Sequence, residues 1–277
     1  MNFQQLTSNI RSAGKRLRVA VVCPRDTATL EAMSAIESMG IAQTTGVDAD
    51  MPAEAARQAV AMVRQGDADV LMKGLIGTDQ LLHAVLDKQT GLLPPGAVLT
   101  HISAAEIPTY HKMLLFSDAA VIPYPTQEQR ESQVAYMAQT CRALGTECPR
   151  IALIHCSEKP SPKFPFVDGY AEIIAHAESG LYGPCVVDGP LDVKSACSIS
   201  ALRAKGIQSA LNGDADALIF PDIEAGNAFY KSMTLFAAAR TAGMLVGTTA
   251  PVVVPSRGDS TEAKLNSVVL AVSSIDH

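Results

Sequence analysis

The feature that most constrains this chain is a regular alternation of short apolar runs with longer amphipathic segments. Apolar runs such as residues 17–23 and 151–156 predict buried strands, and segments such as residues 27–39 between them predict helices. Strands that alternate with helices form a mostly parallel sheet with helices on both of its faces. The sequence therefore predicts an α/β protein.

The same alternation continues to the C-terminus. The other predicted strands lie at residues 41–47, 68–72, 98–102, 119–122, 185–187, 217–220, 244–246 and 251–254. The other predicted helices follow Pro52, begin at Thr78 as a capping residue, and span residues 126–144, 169–179, 192–205 and 227–240, with a last helix around residues 265–272.

Length and composition narrow the class of protein. A chain of 277 residues is long enough for about two domains of roughly 150 residues. Its 48% hydrophobic and 18% charged residues exclude a disordered chain and a coiled coil. A net charge of −6, few aromatics and no Trp disfavour nucleic acid as a partner.

The cysteines and the uncharged stretches indicate the cellular setting. Six cysteines show no Cys-x-x-Cys pair, so we expect reduced thiols, a cytoplasmic location and no structural metal. Glycines and prolines interrupt the two longest stretches without charge, residues 89–105 and 241–256, so we expect no membrane span.

Ligands of open α/β sheets bind beyond the carboxyl ends of the strands. The polar residues that follow the predicted strands are therefore the candidate ligand-binding residues. Lys73 and Gly74 lead into Thr78, and together they offer a cation, a flexible backbone and a helix N-terminus to an anion. The alternative is an ordinary turn with a capping threonine and a surface lysine. Further along, Asn227 and Lys231 lie four residues apart on one helix face, which suits an anionic ligand or a solvated surface equally.

The last strand leads into Ser256, Arg257 and Asp259. A guanidinium binds phosphate through two hydrogen bonds and neutralises a developing oxyanion. Asp259 is a candidate base, or the N-cap of the last helix with Glu262 three residues later.

Other polar residues at strand exits allow two interpretations each. Asp188 and Gly189 form a turn or orient a ligand, and His101 faces a cleft or packs in the interior. His155 followed by Cys156 suggests a nucleophile, although a buried cysteine beside a hydrogen-bonded histidine explains the pair better. The histidines form no metal-spaced cluster, so no metal site is predicted.

Several of these segments occur, in this order, in one known family. The matching segments are Leu71-Met72-Lys73-Gly74 with Thr78-Asp79, Ile107-Pro108-Thr109-Tyr110 with Asp118-Ala119-Ala120, Val187-Asp188-Gly189-Pro190-Leu191, Lys205-Gly206-Ile207, Gly213-Asp214-Ala215-Asp216, Pro221-Asp222-Ile223-Glu224-Ala225-Gly226-Asn227 with Tyr230-Lys231-Ser232, and Pro255-Ser256-Arg257 with Asp259-Ser260 and Lys264. The chain thus resembles the phosphate acetyl/butyryltransferases from about residue 68 to its end. The resemblance is strongest to the butyryltransferase branch and to a related domain fused behind an enoyl-CoA hydratase-like module.

The resemblance implies a fold and an activity. It implies two α/β/α domains with parallel-rich sheets and an interdomain cleft, as in isocitrate and isopropylmalate dehydrogenases. The first domain would comprise residues 1–98 plus 243–277 and the second residues 99–242. It further implies homodimers, acyl transfer between coenzyme A and phosphate, no bound cofactor, and an enoyl-CoA hydratase-like protein as a candidate partner.

The resemblance also assigns roles to the candidate residues. Arg257 would hold the phosphoryl group, Ser256 would steer the thiol or the carbonyl oxygen, and Asp259 would be the candidate base. The expected substrate-binding residues are Lys73, Gly74, Thr78, His101, Asp188, Gly189, Asn227 and Lys231.

The chain departs from the acetyl-specific branch at three positions. His83 and Leu235 stand where that branch has basic residues, and Ala263 stands where it has an acidic one. One alternative is therefore a weakly active or non-catalytic homologue that binds coenzyme A or an acyl phosphate. Another is a metal-dependent decarboxylating dehydrogenase, with Asp188, Asp222 and Glu224 as its only candidate ligands.

Overall fold

The computed structural model describes residues 1–14, 16–159, 161–256 and 258–275. The strands are β1 Leu17–Val22, β2 Ala42–Val47, β3 Val70–Lys73, β4 Thr100–Glu106, β5 Leu114–Ser117, β6 Arg150–Ile154, β7 Val186–Leu191, β8 Ala217–Ile219, β9 Arg240–Val246 and β10 Val252–Val253. The helices are α1 Phe3–Ala13, α2 Thr27–Ser38, α3 Pro52–Arg64, α4 Thr78–Val85, α5 Gln127–Ala143, α6 Tyr170–Glu178, α7 Val193–Cys197, α8 Ile199–Lys205, α9 Ile223–Phe236 and α10 Thr261–Ser273, with a short 3₁₀ helix at Pro165–Gly169.

The chain divides into two compact units. The first comprises Met1–Leu99 and Arg240–His277, and the second comprises Thr100–Ala239. Because the first unit is built from both ends of the chain, strands that are distant in sequence become neighbours in its sheet.

The first unit contains strands in the order β2-β1-β3-β10-β9. The first four are parallel, and β9 runs antiparallel to β10. The side chains of β1 from Val19 to Val22 are fully buried, which explains why this strand reads as a continuous apolar run. The loops after β1, β3 and β10 therefore emerge at one carboxyl edge.

The second unit contains strands in the order β4-β5-β8-β6-β7. All are parallel except β4, which runs antiparallel to β5. Phe116 of β5 and Leu218 of β8 belong to one buried core cluster. The mixed α/β architecture predicted from the sequence is confirmed.

Two predicted elements are wrong. Residues 119–122 are a loop rather than a strand, because the carboxylate of Asp118 accepts the backbone N–H groups of Ala120, Val121 and Ile122. These N–H groups are therefore unavailable to a sheet.

Residues 192–205 form two helices, α7 and α8, rather than one. Ser198 has extended φ and ψ angles, and its side chain accepts the backbone N–H of Ala201 to cap α8. The structure also contains a helix that the sequence analysis does not predict. This helix is α1, in which Phe3, Leu6 and Ile10 form a buried stripe at helical spacing.

Candidate functional site

The carboxyl edge of the first unit brings together two of the predicted site segments. Strands β3 and β10 are adjacent and parallel, with Val252 opposite Leu71 and Val253 opposite Met72. Lys73 consequently ends β3, and Ser256 follows the neighbouring strand β10, which lies about 5 Å away. The sequence had placed each segment at a strand exit, and the register places both exits at the same edge.

Lys73 is a buried residue rather than a surface lysine. Only 3% of it is exposed, and its Nζ lies 3.5 Å from the carbonyl oxygen of Gly74. The backbone N–H of Gly74 donates to the carbonyl of Val22 at 2.8 Å, so the β3 exit packs against the end of β1. A buried ammonium at a strand end interacts strongly with an anion, since little water screens it.

The N-terminus of α4 differs from the prediction for Thr78. The N-cap is Gly77, which makes no side-chain capping bond, and Thr78 is the exposed first residue of the helix. Glycine supplies no side-chain acceptor, so no capping side chain occupies the first N–H groups of α4. This end of the helix can therefore accept an anion.

The loop after β10 is held by Asp259. Its Oδ2 accepts the backbone N–H of Ser256 at 2.8 Å, while Ser256 itself is exposed. The N-cap of α10 is Ser260 rather than Asp259, and Glu262 pairs with the guanidinium of Arg240. Arg257, the predicted phosphate ligand, lies outside the described residues.

A buried ion pair next to this loop was not predicted. Lys264 of α10 is 5% exposed, and its Nζ lies 2.9 Å from both Asp26 Oδ1 and Thr29 Oγ1. Burial alone would raise the pKa of Asp26, but hydrogen bonds from Lys264 and Thr29 outweigh it and lower the pKa to about 2. Asp26 is also the N-cap of α2, so this pair ties α10 to the exit of β1. The sequence motif contains Lys264, but Asp26 lies 238 residues away, so no local pattern predicts the pair.

The corresponding edge of the second unit is organised by Asp118, which follows β5. Besides its three loop N–H groups, its Oδ2 accepts from Thr100 Oγ1 at 2.7 Å and from the backbone N–H of His101 at 3.1 Å. His101 is half-buried, and its Nδ1 lies 3.3 Å from Ser103 Oγ. Asp118 thus holds both the loop after β5 and the first two residues of β4, Thr100 and His101, in place.

Asn227 and Lys231 lie on α9, which starts after β8. Both are exposed; the Asn227 amide donates to the carbonyl of Ala119 at 3.0 Å, and the Lys231 ammonium lies 5.0 Å from the Tyr230 ring centroid. One residue before Asn227, Gly226 allows α9 to approach the loop, because a Cβ there would lie 2.1 Å from the carbonyl oxygen of Asp118.

Asp188 and Gly189 do not lie at a strand exit, because β7 continues to Leu191. The Asp188 carboxylate accepts from the Gly189 N–H, from Ser209 Oγ at 2.6 Å and from the Ala210 N–H at 2.9 Å. A side chain at Gly189 would meet Leu153, whose Cβ is 2.7 Å from the position of the missing Cβ. These two residues therefore hold a loop to the sheet.

The three positions that depart from the acetyl-specific pattern lie at or near helix surfaces. His83 is exposed in the last turn of α4, Leu235 is 74% exposed near the end of α9, and Ala263 is half-buried in the first turn of α10. None of these side chains supplies a charge to a strand exit.

Neither a metal cluster nor a membrane helix is found within residues 1–14, 16–159, 161–256 and 258–275. No group of three or more His, Cys, Asp and Glu side chains there could hold a metal ion. Of the candidate metal ligands of a dehydrogenase, Asp188 accepts the three hydrogen bonds described above. Asp222 is the N-cap of α9, and Glu224 is exposed. No helix in the same ranges is both long and apolar enough to cross a bilayer.

In the first unit, the exits of parallel strands present a buried lysine, an exposed serine and a helix N-terminus whose N-cap residue makes no side-chain bond, a combination that suits a protein acting on anionic small molecules. The particular family follows from sequence: the profile described as phosphate acetyl/butaryl transferase matches residues 4–272. The chain belongs to this family, and it is an acyltransferase.

Individual relatives agree with this assignment. A phosphate butyryltransferase of Clostridium beijerinckii is 32% identical over 98% of this chain and 96% of its own length. A phosphate acetyltransferase of Thermotoga maritima is 37% identical over 79% of this chain and 74% of its own length. Among solved structures, a branched-chain phosphotransacylase from Enterococcus faecalis V583 superposes with a TM-score of 0.84 at 30% identity, covering 94% of this chain and 99% of that one.

Proposed function

We propose that this chain catalyses the reversible transfer of a short acyl group between coenzyme A and inorganic phosphate. The observation that supports this most strongly is the buried ammonium of Lys73, at the end of the strand next to the one that leads into Ser256. A cation and a hydroxyl at one sheet edge suit a substrate that carries a phosphoryl group beside a carbonyl.

The proposed reaction is a direct displacement. The sulfur of the coenzyme A thiolate attacks the carbonyl carbon of an acyl phosphate, and a carbon–sulfur bond forms. The bond between the carbonyl carbon and the bridging oxygen then breaks, and phosphate leaves with the electron pair. The products are acyl-CoA and inorganic phosphate, and the reverse reaction follows the same path.

The residues of the first unit would act on the phosphoryl group and the developing oxyanion. We assign the phosphoryl group to Lys73, to the N-terminus of α4 and, by the family resemblance, to Arg257. The exposed hydroxyl of Ser256 would donate to the carbonyl oxygen. Preorganised cations of this kind stabilise negative charge without reorganisation during the reaction.

Asp259 would support the loop rather than remove a proton. Its carboxylate already accepts the Ser256 N–H, which fixes the loop geometry. The thiol of coenzyme A can ionise beside a lysine and an arginine, because nearby positive charge stabilises the thiolate. In this proposal, the stabilisation of the thiolate by these cations makes an acidic residue at position 263, where this chain has Ala263, unnecessary.

In the second unit, the exposed Asn227 and Lys231 would bind polar parts of coenzyme A. His101 is a further candidate, while Asp188 and Gly189 would shape the nearby loop. Coenzyme A is a substrate in this proposal, and no bound cofactor is expected. A homodimer, a cytoplasmic location and an enoyl-CoA hydratase-like partner remain predictions from the resemblance.

The test is release of phosphate that depends on coenzyme A, with acetyl, propionyl and butyryl phosphate as donors. We expect Arg257→Ala to lower kcat/KM roughly 10²–10³-fold, the loss typical when one preorganised group that stabilises transition-state charge is removed. Arg57→Ala is the matched control, because Arg57 is exposed on α3 and pairs only locally with Glu54. Absence of turnover with all three donors, in protein shown to be folded, would refute the proposal.

A further inference from the structure

Tyr124 is an exposed aromatic residue at the carboxyl edge of the second unit, and nothing proposed above uses it. It lies in the loop between β5 and α5, and 72% of it is exposed. Strands β5 and β8 are adjacent and parallel, so this loop emerges beside the start of α9. Because α/β sheets bind their ligands at this edge, the Tyr124 ring lies where a ligand can reach it.

The other exposed aromatic rings of the chain differ from Tyr124. They belong to Phe164 and Phe236. Phe164 packs against His155, with ring centroids 4.9 Å apart. Phe236 is the last residue of α9, about 20 Å along the helix from its start at the carboxyl edge. Within the described residues, the Tyr124 side chain makes no hydrogen bond and no ring contact, so its ring is available to a ligand.

The loop holds the backbone of Tyr124 in a defined position. Tyr124 lies between Pro123 and Pro125, and the two prolines restrict the backbone on both sides of it. The backbone N–H of Ile223 donates to the carbonyl of Pro123 at 3.0 Å. The guanidinium of the buried Arg130 donates to the carbonyl of Pro125 at 3.4 Å. A ring that is presented by a fixed backbone loses little conformational entropy when it binds a ligand.

The ligand group that suits this ring is a planar base. Aromatic side chains bind bases by stacking, and a single exposed ring is a platform for one base rather than for a strand. Adenine is the aromatic group of coenzyme A. Ala119 of the same loop accepts the amide of Asn227 at 3.0 Å, and Lys231 lies one turn further along the same face of α9. An ammonium on this face suits the phosphates of the same nucleotide.

We propose that Tyr124 stacks on the adenine of coenzyme A and thereby makes the protein prefer coenzyme A over thiols that lack the nucleotide. This inference rests on the proposed function, in which coenzyme A is the substrate. Adenine lies at the opposite end of coenzyme A from the thiol, so the stacking contact is the same in the ground state and in the transition state. It therefore lowers the KM for coenzyme A and leaves kcat and the direct displacement unchanged.

The first experiment measures phosphate release from acyl phosphate with coenzyme A and with pantetheine, a thiol without adenine, as alternative acceptors. We expect Tyr124→Ala to raise the KM for coenzyme A about 10-fold, within the range for loss of a stacking ring, and to leave kcat/KM for pantetheine unchanged. Tyr124→Phe keeps the ring and should match the unaltered protein. Phe236→Ala is the matched control, because it removes a ring of the same unit that is 82% exposed and lies far from the carboxyl edge. An unchanged KM for coenzyme A in Tyr124→Ala, or an equal loss with pantetheine, would overturn the proposal.

A second measurement does not depend on turnover. Isothermal calorimetry with ADP, which is part of the coenzyme A nucleotide, should give a Kd about 10-fold weaker for Tyr124→Ala and an unchanged Kd for Tyr124→Phe and Phe236→Ala. Absence of ADP binding, or binding that Tyr124→Ala does not weaken, disproves the stacking even in a chain that turns over acyl phosphate. Binding of ADP that depends on Tyr124, in a folded chain without turnover, disproves the proposed function alone. Sedimentation velocity tests the alternative occupant of the ring: a changed oligomeric state of Tyr124→Ala with unchanged ADP binding would assign the ring to a protein interface and overturn the proposal.

Discussion

Replacing Lys264 with Met should destabilise the first unit by removing a buried charge partner. Lys264 lies in the first turns of α10, where the helix dipole disfavours a cation. Its ammonium is nevertheless buried, 2.9 Å from Asp26 Oδ1 and 2.9 Å from Thr29 Oγ1. Methionine keeps an unbranched apolar stem, so Lys264→Met removes the charge and its hydrogen bonds with little change in packing.

The magnitude follows from the pKa of Asp26. Burial raises this pKa, but the hydrogen bonds from Lys264 and Thr29 outweigh burial and lower it from 3.8 to about 2. At about 1.36 kcal/mol per pKa unit, the native fold favours the ionised carboxylate by roughly 2 kcal/mol. The Asp26 side chain is 28% exposed, so water replaces part of the lost interaction. We expect Lys264→Met to lower the free energy of unfolding by about 2 kcal/mol at pH 7.

The effect should depend on pH in a defined direction. A carboxyl whose pKa is lowered by folding contributes its stability above the pKa of the unfolded chain, near 3.8, and loses it as the pH falls towards about 2. At pH 3 the Asp26 carboxyl of the unfolded chain is mostly protonated, so the preference of the folded protein for the ionised carboxylate contributes less than at pH 7. The difference between Lys264→Met and the unaltered protein should therefore be smaller at pH 3 than at pH 7.

Urea unfolding followed by circular dichroism, at pH 7 and pH 3, measures both effects. Arg57→Met is the control, because it breaks the exposed pair with Glu54 on α3 and should leave the unfolding midpoint unchanged. Unchanged stability of Lys264→Met at pH 7 would refute the assignment of a stabilising pair. An equal loss at both pH values would show that packing, rather than charge, is responsible.

Two further substitutions test the loops of the second unit. Gly226→Ala should separate α9 from the loop after β5, because the added Cβ would lie 2.1 Å from the Asp118 carbonyl oxygen. We expect thermal unfolding to show a loss of about 2 kcal/mol or more in the free energy of unfolding. Gly258→Ala is the control, because no atom lies within 4 Å of its added Cβ, and its unfolding temperature should equal that of the unaltered protein. Asp188→Asn should lose the charge-assisted bonds to Ser209 Oγ and the loop backbone and cost about 1–2 kcal/mol by urea titration, and an unchanged midpoint would contradict this role.

The sequence predicted the elements well where the signal is local. Apolar runs located β1 and β6, and Thr126 with Gln129 forms the predicted capping box of α5. The prediction from sequence failed where a side chain takes the backbone N–H groups that a strand would need. Residues 119–122 have the composition of a strand, but a single carboxylate takes three of their N–H groups.

The candidate site likewise has features that the sequence predicts and features that only the packing determines. The order of the motifs identified the family, and the position of Lys73 and Ser256 after strands indicated their neighbourhood. Whether Lys73 is buried, and which residue caps α4, depend on packing that no local pattern encodes. The interpretation of Thr78 as a cap was wrong for this reason.

The sequence alone determined the α/β class and the family, because alternating hydrophobicity and ordered loop motifs are properties of the chain itself. The tertiary structure decided which charges meet. Asp26 and Lys264 are 238 residues apart in sequence and form a buried pair only because β10 joins the sheet beside β3, which brings α10 against α2. Strand order and burial are cooperative properties of the whole unit, and they fix partners that sequence separation conceals.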